Sequence, residues 1–375
     1  GSLVVTVLNL PPSANAGGPY FADEGSSIGL TGSATDVGLL DVLTFEWDLD
    51  NNGTFETSGD SPTFDVSSLD GPTSTPVTLR VTDDDGAFDT STVTVTVSNV
   101  APTANAGGPY SVGEGSTITL SGTATDPAAS DVLTYQWDFD GDLVFETSGA
   151  SPVFDAALID GLTTLTVTLK VTDDDGDADT SSSIITINNL PPTANAGGPY
   201  TVNEGSSVGL TGTATDPSSL DTHTFEWDLD NDGTFETSGA SPSFSALTLD
   251  GPGSATVVLR VTDDDGGVDT DTVTIGITNV APVADSDGPY SVNEGSSITL
   301  NGTATDAGAS DTLTFEWDLD GDSTFETLGA SPVFNAALID GLNTLTVALR
   351  VTDDDGGVDV SSSVITINNL PPTAS

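Results

Sequence analysis

The sequence predicts an all-β chain of four tandem antiparallel β-sandwiches laid end to end in an elongated array. Three observations predict it: a motif recurring at a constant interval of 90 residues, apolar side chains spaced two apart, and clusters of Gly, Pro, Asp and Ser between the apolar runs. The interval is set by Trp47, Trp137, Trp227 and Trp317 and again by Tyr20, Tyr110, Tyr200 and Tyr290, with no insertion or deletion between copies.

Within the first copy the elements follow in order. The chain enters near Asn15 and turns at Glu24, and the next strand ends at Asp36. Leu43, Phe45, Trp47 and Leu49 then alternate with Thr44, Glu46, Asp48 and Asp50. Such alternation marks a strand with one buried face, and the Trp is its core anchor. Val77, Leu79 and Val81 alternate with Thr78, Arg80 and Thr82 before the turn Asp83-Asp84-Asp85-Gly86, and Val93, Val95 and Val97 form the closing strand. Several short strands per copy, without helical periodicity, indicate a two-sheet sandwich of immunoglobulin-like type.

The repeats span residues 12–101, 102–191, 192–281 and 282–371. Residues 1–11 read as the closing strand of a preceding repeat, apolar at 3–8, and residues 372–375 as the start of a further one. The segment therefore reads as cut from a longer array, or as one whose ends complement each other head to tail between molecules. The linkers alternate between Leu-Pro-Pro (from Leu10, Leu190 and Leu370) and Val-Ala-Pro (from Val100 and Val280), which makes two repeats the unit of duplication. If so, the two kinds of junction adopt different angles.

Composition narrows the function. The chain has 58 acidic and 4 basic side chains, for a formal net charge of −54. Nucleic-acid binding depends on Lys and Arg neutralising phosphates, so no nucleic-acid partner is expected, and an anionic membrane surface is excluded by the same sign. No apolar run approaches the roughly 20 residues of a spanning helix, so no membrane insertion is expected in this segment. The amino terminus lacks the basic flank of a signal peptide, so any export signal or anchor is expected outside it. With no Cys, disulfides cannot stabilise an exported chain, and metal ions are the natural substitute.

The residues also resemble a known family. Ala16-Gly17-Gly18-Pro19-Tyr20, Glu24-Gly25, Trp47-Asp48 and Val81-Thr82-Asp83-Asp84-Asp85-Gly86, with their counterparts in every copy, resemble the PKD (polycystic-kidney-disease-type) domains found in tandem on bacterial and archaeal surface proteins. The resemblance covers nearly the whole chain. It departs after Trp-Asp, where family members usually carry a short Trp-Asp-Phe-Gly-Asp-Gly turn. It implies an extracellular or cell-surface spacer, adhesive or accessory module and not an enzyme.

The candidate chemistry lies in two sets of carboxylates. Asp48, Asp50 and Asn52 sit two residues apart with Glu56 following, like the first half of a calcium loop, although no acid stands at its twelfth position. The counterparts are Asp138, Asp140 and Asp142; Asp228, Asp230 and Asp232; and Asp318, Asp320 and Asp322. A solvated turn without metal fits the same residue types.

The second set follows from topology. Asp36, Asp83 and Asp85 gather at one pole of a sandwich, and Glu24, Asp48 and Asp50 at the other. In an array Glu24, Asp48 and Asn99 then approach Asp126, Asp173 and Asp175 across a short linker. The same reasoning enrols Glu114, Asn189, Asp216, Asp263 and Asp265 at the next junction, Glu204, Asn279, Asp306, Asp353 and Asp355 at the one after, and Glu294 at the last lower pole. Closely spaced anionic oxygens suit calcium, which takes six to eight such ligands, so Ca2+ is the expected ion. The alternative is that Asp-Asp-Asp-Gly only makes a soluble turn.

Other residues read more plainly. His223 stands where the other copies have Leu43, Leu133 and Leu313, a single substitution at a strand end and not part of a shared site. Arg80, Arg260 and Arg350 are expected to pair with Glu46, Glu226 and Glu316, with Gln136 opposite Lys170. Phe55, Phe145, Phe235 and Phe325 are expected to pack inward. Duplication at a constant interval supplies none of the asymmetric carboxylate pairing, with one raised pKa in a cleft, that a glycosidase needs.

Two functional readings follow: a calcium-stiffened stalk, adhesin extender or filament subunit, or accessory repeats of a secreted hydrolase that bind a polysaccharide or protein. Neighbouring repeats of the same chain are the first partners in either case.

Overall fold

Each 90-residue copy folds into the same set of strands because its alternating apolar residues have one face to bury and its Gly, Pro and Asp clusters end each run. The computed structural model describes residues 1–371. In the first repeat the strands are β1 (Ser13–Asn15), β2 (Tyr20–Asp23), β3 (Ser27–Gly29), β4 (Ser33–Thr35), β5 (Thr44–Asp48), β6 (Thr57–Ser58), β7 (Thr63–Asp65), β8 (Thr73–Thr82) and β9 (Phe88–Ser98). The same nine recur in the other three repeats. Among the described residues there is no helix long and apolar enough to cross a membrane.

One sheet runs β2-β9-β8-β5-β6, and two shorter ladders pair β1 with β4 and β3 with β7. The expected antiparallel sandwich has one exception per repeat, since β2 runs parallel to β9, with Tyr20 opposite Val95 and Asp23 opposite Ser98. The layers meet over Trp47, Val77, Leu79, Val81, Val95 and Val97 from the large sheet and Leu30, Phe64 and Val66 from the other side. Trp47 and its three counterparts are fully buried. The indole Nε1 of Trp47 donates to the Gly59 carbonyl at 3.0 Å, as Trp137 does to Gly149 and Trp227 to Gly239.

The ring explains one invariant residue of the repeat: a Cβ at Gly32 would sit 2.9 Å from the Trp47 ring and 2.8 Å from Leu79. Gly17, at φ 71°, has a second reason to be glycine, because a Cβ there would meet the Tyr20 hydroxyl and the Thr31 carbonyl at 2.6 Å. That hydroxyl donates to the Ala16 carbonyl and accepts from the Thr31 amide, pinning the entering segment to the sandwich.

The expected cross-strand pairs form: Arg80 lies opposite Glu46 in the β5–β8 ladder and bonds it at 2.6 Å, and Arg260–Glu226 and Arg350–Glu316 repeat this at 2.6 and 2.5 Å. Half-exposed pairs of this kind contribute about 0–1 kcal/mol each. The four phenylalanines expected to point inward do not. The Arg80, Arg260 and Arg350 guanidiniums lie over the rings of Phe55, Phe235 and Phe325 at 4.2, 4.1 and 4.6 Å, and Lys170 over Phe145 at 5.8 Å. The loop after β5 returns across the outer face of the sheet, where a cation is the partner the ring finds.

The chain divides into two compact units, one ending at Asn189 and the next beginning at Leu190. Each contains two repeats joined by a Val-Ala-Pro linker. Residues 3–8 form no strand, and Leu3, Val4, Val5, Val7 and Leu8 are exposed. The expected start of a further repeat at 372–375 lies outside the described residues.

Candidate metal centres

Each repeat has an upper pole, where β4 and β8 end, and a lower pole, where β2 ends and β8 begins. At the upper pole the first carboxylate of Asp-Asp-Asp-Gly is buried and organises its own turn. Asp83 accepts from the Ala87 amide at 2.8 Å, and Asp173 from the Gly176 and Asp177 amides at 2.7 and 2.8 Å. Asp263 and Asp353 likewise accept from Gly267 and Gly357 at 2.7 Å. The second aspartate ties down the loop before β5: Asp84 accepts from the Val42 amide at 3.1 Å, and Asp174 from that of Val132 at 2.8 Å.

The linker asparagine joins this pole as expected. Asn99 Nδ2 donates to Asp173 at 3.1 Å and Asn279 Nδ2 to Asp353 at 3.2 Å, while the Oδ1 of both amides is buried with no donor in reach. Asp36, Asp41 and Asp83 bring oxygens within 4.8 Å of one another at the first upper pole.

The lower pole is built around a buried glutamate. Glu24 is 1% exposed and accepts from the Gly71 amide at 2.8 Å and from the Val100 amide of the linker at 2.7 Å. Glu204 does the same with Gly251 and Val280, and Glu294 with Gly341 and Leu370. Glu114 occupies the equivalent buried position. The amides of Leu370 and Gly341 hold the Glu294 carboxyl below its usual range despite partial burial. This glutamate fixes the first residues of the linker, a role beyond its expected one as a ligand.

Inside each unit the two poles meet. Glu24 of the first repeat and Asp126 and Asp131 of the second bring oxygens within 4.8 Å of one another, and Glu204, Asp250, Asp311 and Asp355 do so in the second unit. A Cβ at Gly25 would lie 2.6 Å from Pro127, and one at Gly205 2.5 Å from the Ala307 carbonyl, so the repeats are in direct contact at each joint. Both carboxylate oxygens of Asp131 and of Asp311 are buried with no donor in reach.

Burial, then the Asp70 and Asp126 carboxyls beside it, push Asp131 up to about 8. The Asp250 carboxyl, then burial and the charges of Glu204 and Asp306, push Asp311 up to about 7. Asp175 and Asp355 are raised in the same way, by burial and then by Asp70 and Asp250 respectively. Repulsion of this kind is what a divalent cation removes.

These raised values carry a sign. Between the ordinary aspartate value and about 8 for Asp131, or about 7 for Asp311, the metal-free fold holds a proton that the unfolded chain has released. Stability from these groups is therefore full at acid pH and lost as pH rises through that window. Calorimetry in chelator is expected to show the melting temperature falling from about pH 4 to about pH 8, less steeply in Asp131→Asn/Asp311→Asn. Equal slopes in the two proteins would refute this account of the joints.

Asp48 was expected at the lower pole and is not there. It lies opposite Thr78, whereas Thr73 lies opposite Val97 beside the pole, which leaves Asp48 about 17 Å short of it at ~3.3 Å per residue. The strand β5 ends in mid-sheet, and Asp48 instead organises its own loop, accepting from the Asn52 and Gly53 amides at 3.1 and 2.8 Å. Asn52 bonds both Asp50 and Glu56, so the loop residues converge as the spacing predicts.

Asp138, Asp140, Asp142 and Glu146 bring oxygens within 4.8 Å of one another, as do Asp228, Asp230, Asp232 and Glu236. Burial opposes ionisation of Asp228, but the amides of Gly233, Asp232 and Asn231 hold its carboxyl below the ordinary value, and those of Gly321, Ser323 and Asp320 do the same for Asp318. Only the first aspartate of each set is buried, and the others face solvent. Non-glycine residues take left-handed conformations here, with φ 69° at Leu143 and 71° at Ser323.

Asp131 and Asp311, and also Asp70 and Asp250, lie at the joints although they fall outside the expected ligand sets. The signal was present, because Asp41, Asp131, Asp221 and Asp311 recur in every copy, as do Asp70, Asp160, Asp250 and Asp340. His223, read as an isolated substitution, lies 3.2 Å from Asp216 of the expected upper-pole set.

A family model described as PKD domain matches residues 99–187, 189–277 and 279–367. No curated protein matches the chain in sequence. Among solved structures it is similar to Sidekick-1 immunoglobulin domains 1–5, at 14% identity over 93% of this chain and 78% of that one, with a TM-score of 0.33. It is also similar to Drosophila N-cadherin EC1–4, at 15% identity over 89% and 93% with a TM-score of 0.30. A third likeness is to the insect immune protein hemolin, at 10% identity over 96% and 100% with a TM-score of 0.32.

Proposed function

The chain belongs to the PKD domain family, and from that premise we propose that it is a non-enzymatic extracellular structural array, stiffened by calcium at its joints and serving as a stalk, adhesin extender or filament subunit. Its repeats run at 12–101, 102–191, 192–281 and 282–371.

One observation carries the reading. Within each unit, carboxylates of two successive repeats converge on an aspartate, Asp131 or Asp311, whose oxygens are shut away from solvent without a donor. Burying like charges together is unfavourable unless a cation or shared protons offset it. Near neutral pH a hard divalent ion with oxygen ligands meets the need, and calcium tolerates the irregular geometry of a site assembled from two repeats. Asp126, Asp131 and Glu24 would hold it in the first unit, and Asp311, Asp250, Asp355 and Glu204 in the second.

The accessory reading has weaker support, since the repeated phenylalanines that would form a sugar platform are covered by Arg and Lys. Calcium titration calorimetry on the full chain tests the proposal. Wild type is expected to bind calcium, and Asp131→Asn/Asp311→Asn to lose two sites. Wild type giving no binding heat at millimolar calcium, or the variant keeping every site, would sink it.

A further inference from the structure

Four copies of one site allow an internal comparison. At the upper pole, Asp36, Asp126, Asp216 and Asp306 each accept at Oδ1 from the amide two residues on, that of Gly38, Ala128, Ser218 or Gly308, at 2.8–3.1 Å. Their second oxygens differ. Oδ2 of Asp36, Asp126 and Asp306 is buried and no donor reaches it. Oδ2 of Asp216 lies 3.2 Å from Nε2 of His223, the chain's single histidine, which replaces Leu43, Leu133 and Leu313. The Asp216 side chain is 2% exposed and that of His223 19%, so the contact is shielded from water.

A carboxylate oxygen only accepts, so Nε2 must carry the hydrogen and donate it. A buried carboxylate oxygen with no partner is costly, and three copies of the repeat retain it with an aliphatic residue where a donor fits without any change of fold. Beside Asp126 the one candidate donor is the protonated carboxyl of Asp131, whose proton a bound cation would displace; for Asp36 and Asp306 the missing partner is something the protein does not itself supply.

We infer that His223 stands in for a divalent cation at the upper pole of the third repeat, so that Asp216 offers no free oxygen to calcium while Asp36, Asp126 and Asp306 do. The inference rests on the calcium reading above and deepens it. The repeats would not be equivalent in metal content, and the third would bind calcium at this pole more weakly than its neighbours.

The experiment uses the full chain and counts bound calcium by equilibrium dialysis, with circular dichroism as a check on folding. His223→Leu restores the residue of the other three repeats and is expected to gain one calcium per chain. Leu43→His and, separately, Leu313→His copy the third repeat into the first and fourth, and each is expected to lose one. Two host sites are used so that one misfolded variant does not decide the matter. Calcium bound by wild type with an unchanged count in His223→Leu would overturn the inference and leave the joint sites standing. So would tight zinc binding that His223→Leu abolishes, since the imidazole would then be a ligand and not a substitute for one. No calcium bound by any of the proteins would overturn both readings together.

Discussion

Chelating calcium from the full chain is expected to lower its melting temperature and to expose the Val-Ala-Pro linkers to protease near Asn99 and Asn279. The carboxylates at each joint are too close to remain together unneutralised, and a chain with 58 acidic and 4 basic side chains has no internal cations to spare. For sites as weak as those of many extracellular modules, with Kd about 10⁻⁴ M, about 10 mM free calcium stabilises each by roughly 2.7 kcal/mol. That is a large fraction of the stability of a small domain without disulfides.

Magnesium is expected to restore little, because it demands a tighter octahedral shell. Asp173→Asn/Asp175→Asn should reproduce the effect chiefly at the first joint, since Asp173 holds Asn99 and Asp175 faces Asp70. Small-angle scattering and thermal melts, each with and without calcium, provide the measurement. Identical curves and melting temperatures in both conditions would refute calcium stiffening and leave an acidic spacer.

The second large effect is expected in the core. Trp137→Ala should cost about 3–5 kcal/mol, because it removes the largest buried side chain of the repeat and leaves a cavity that the sheets cannot close. The ring sits 2.9 Å from where a Cβ on Gly122 would be, and its Nε1 satisfies the Gly149 carbonyl. Against a domain stability of about 5–15 kcal/mol, the second repeat should unfold well before its neighbours. At about 4–8 °C per kcal/mol for a domain of this size, calorimetry is expected to resolve a separate early transition at least about 10 °C below the main one. A single transition shifted by only a degree or two would show that the ring is not the anchor.

Much of this molecule is legible before folding. The 90-residue interval stands in the sequence itself, and the period-two strands, the buried face of Trp47 and the shared outer face of Arg80 and Glu46 follow from the pleat, which sends alternate side chains to opposite faces whatever the rest of the chain does. The acidic turns at the upper pole are equally local, because Asp-Asp-Asp-Gly must end β8 wherever β8 lies.

What the sequence by itself determined is therefore the strand set, the core and the charge. Which carboxylates meet was decided only in three dimensions, because proximity across sheets and joints depends on where strands end relative to one another. The short β5 stops opposite Thr78 and strands Asp48 in mid-sheet, while the direct contact of Gly25 with Pro127 carries Asp131 against Asp70. The connection before the third repeat's counterpart of β5 brings His223 to Asp216, and the loop after β5 lays Phe55 beneath Arg80 and not in the core. Residue spacing along a strand dictates the face of a side chain, but a meeting of residues far apart in the chain is set by backbone offsets that no local period encodes.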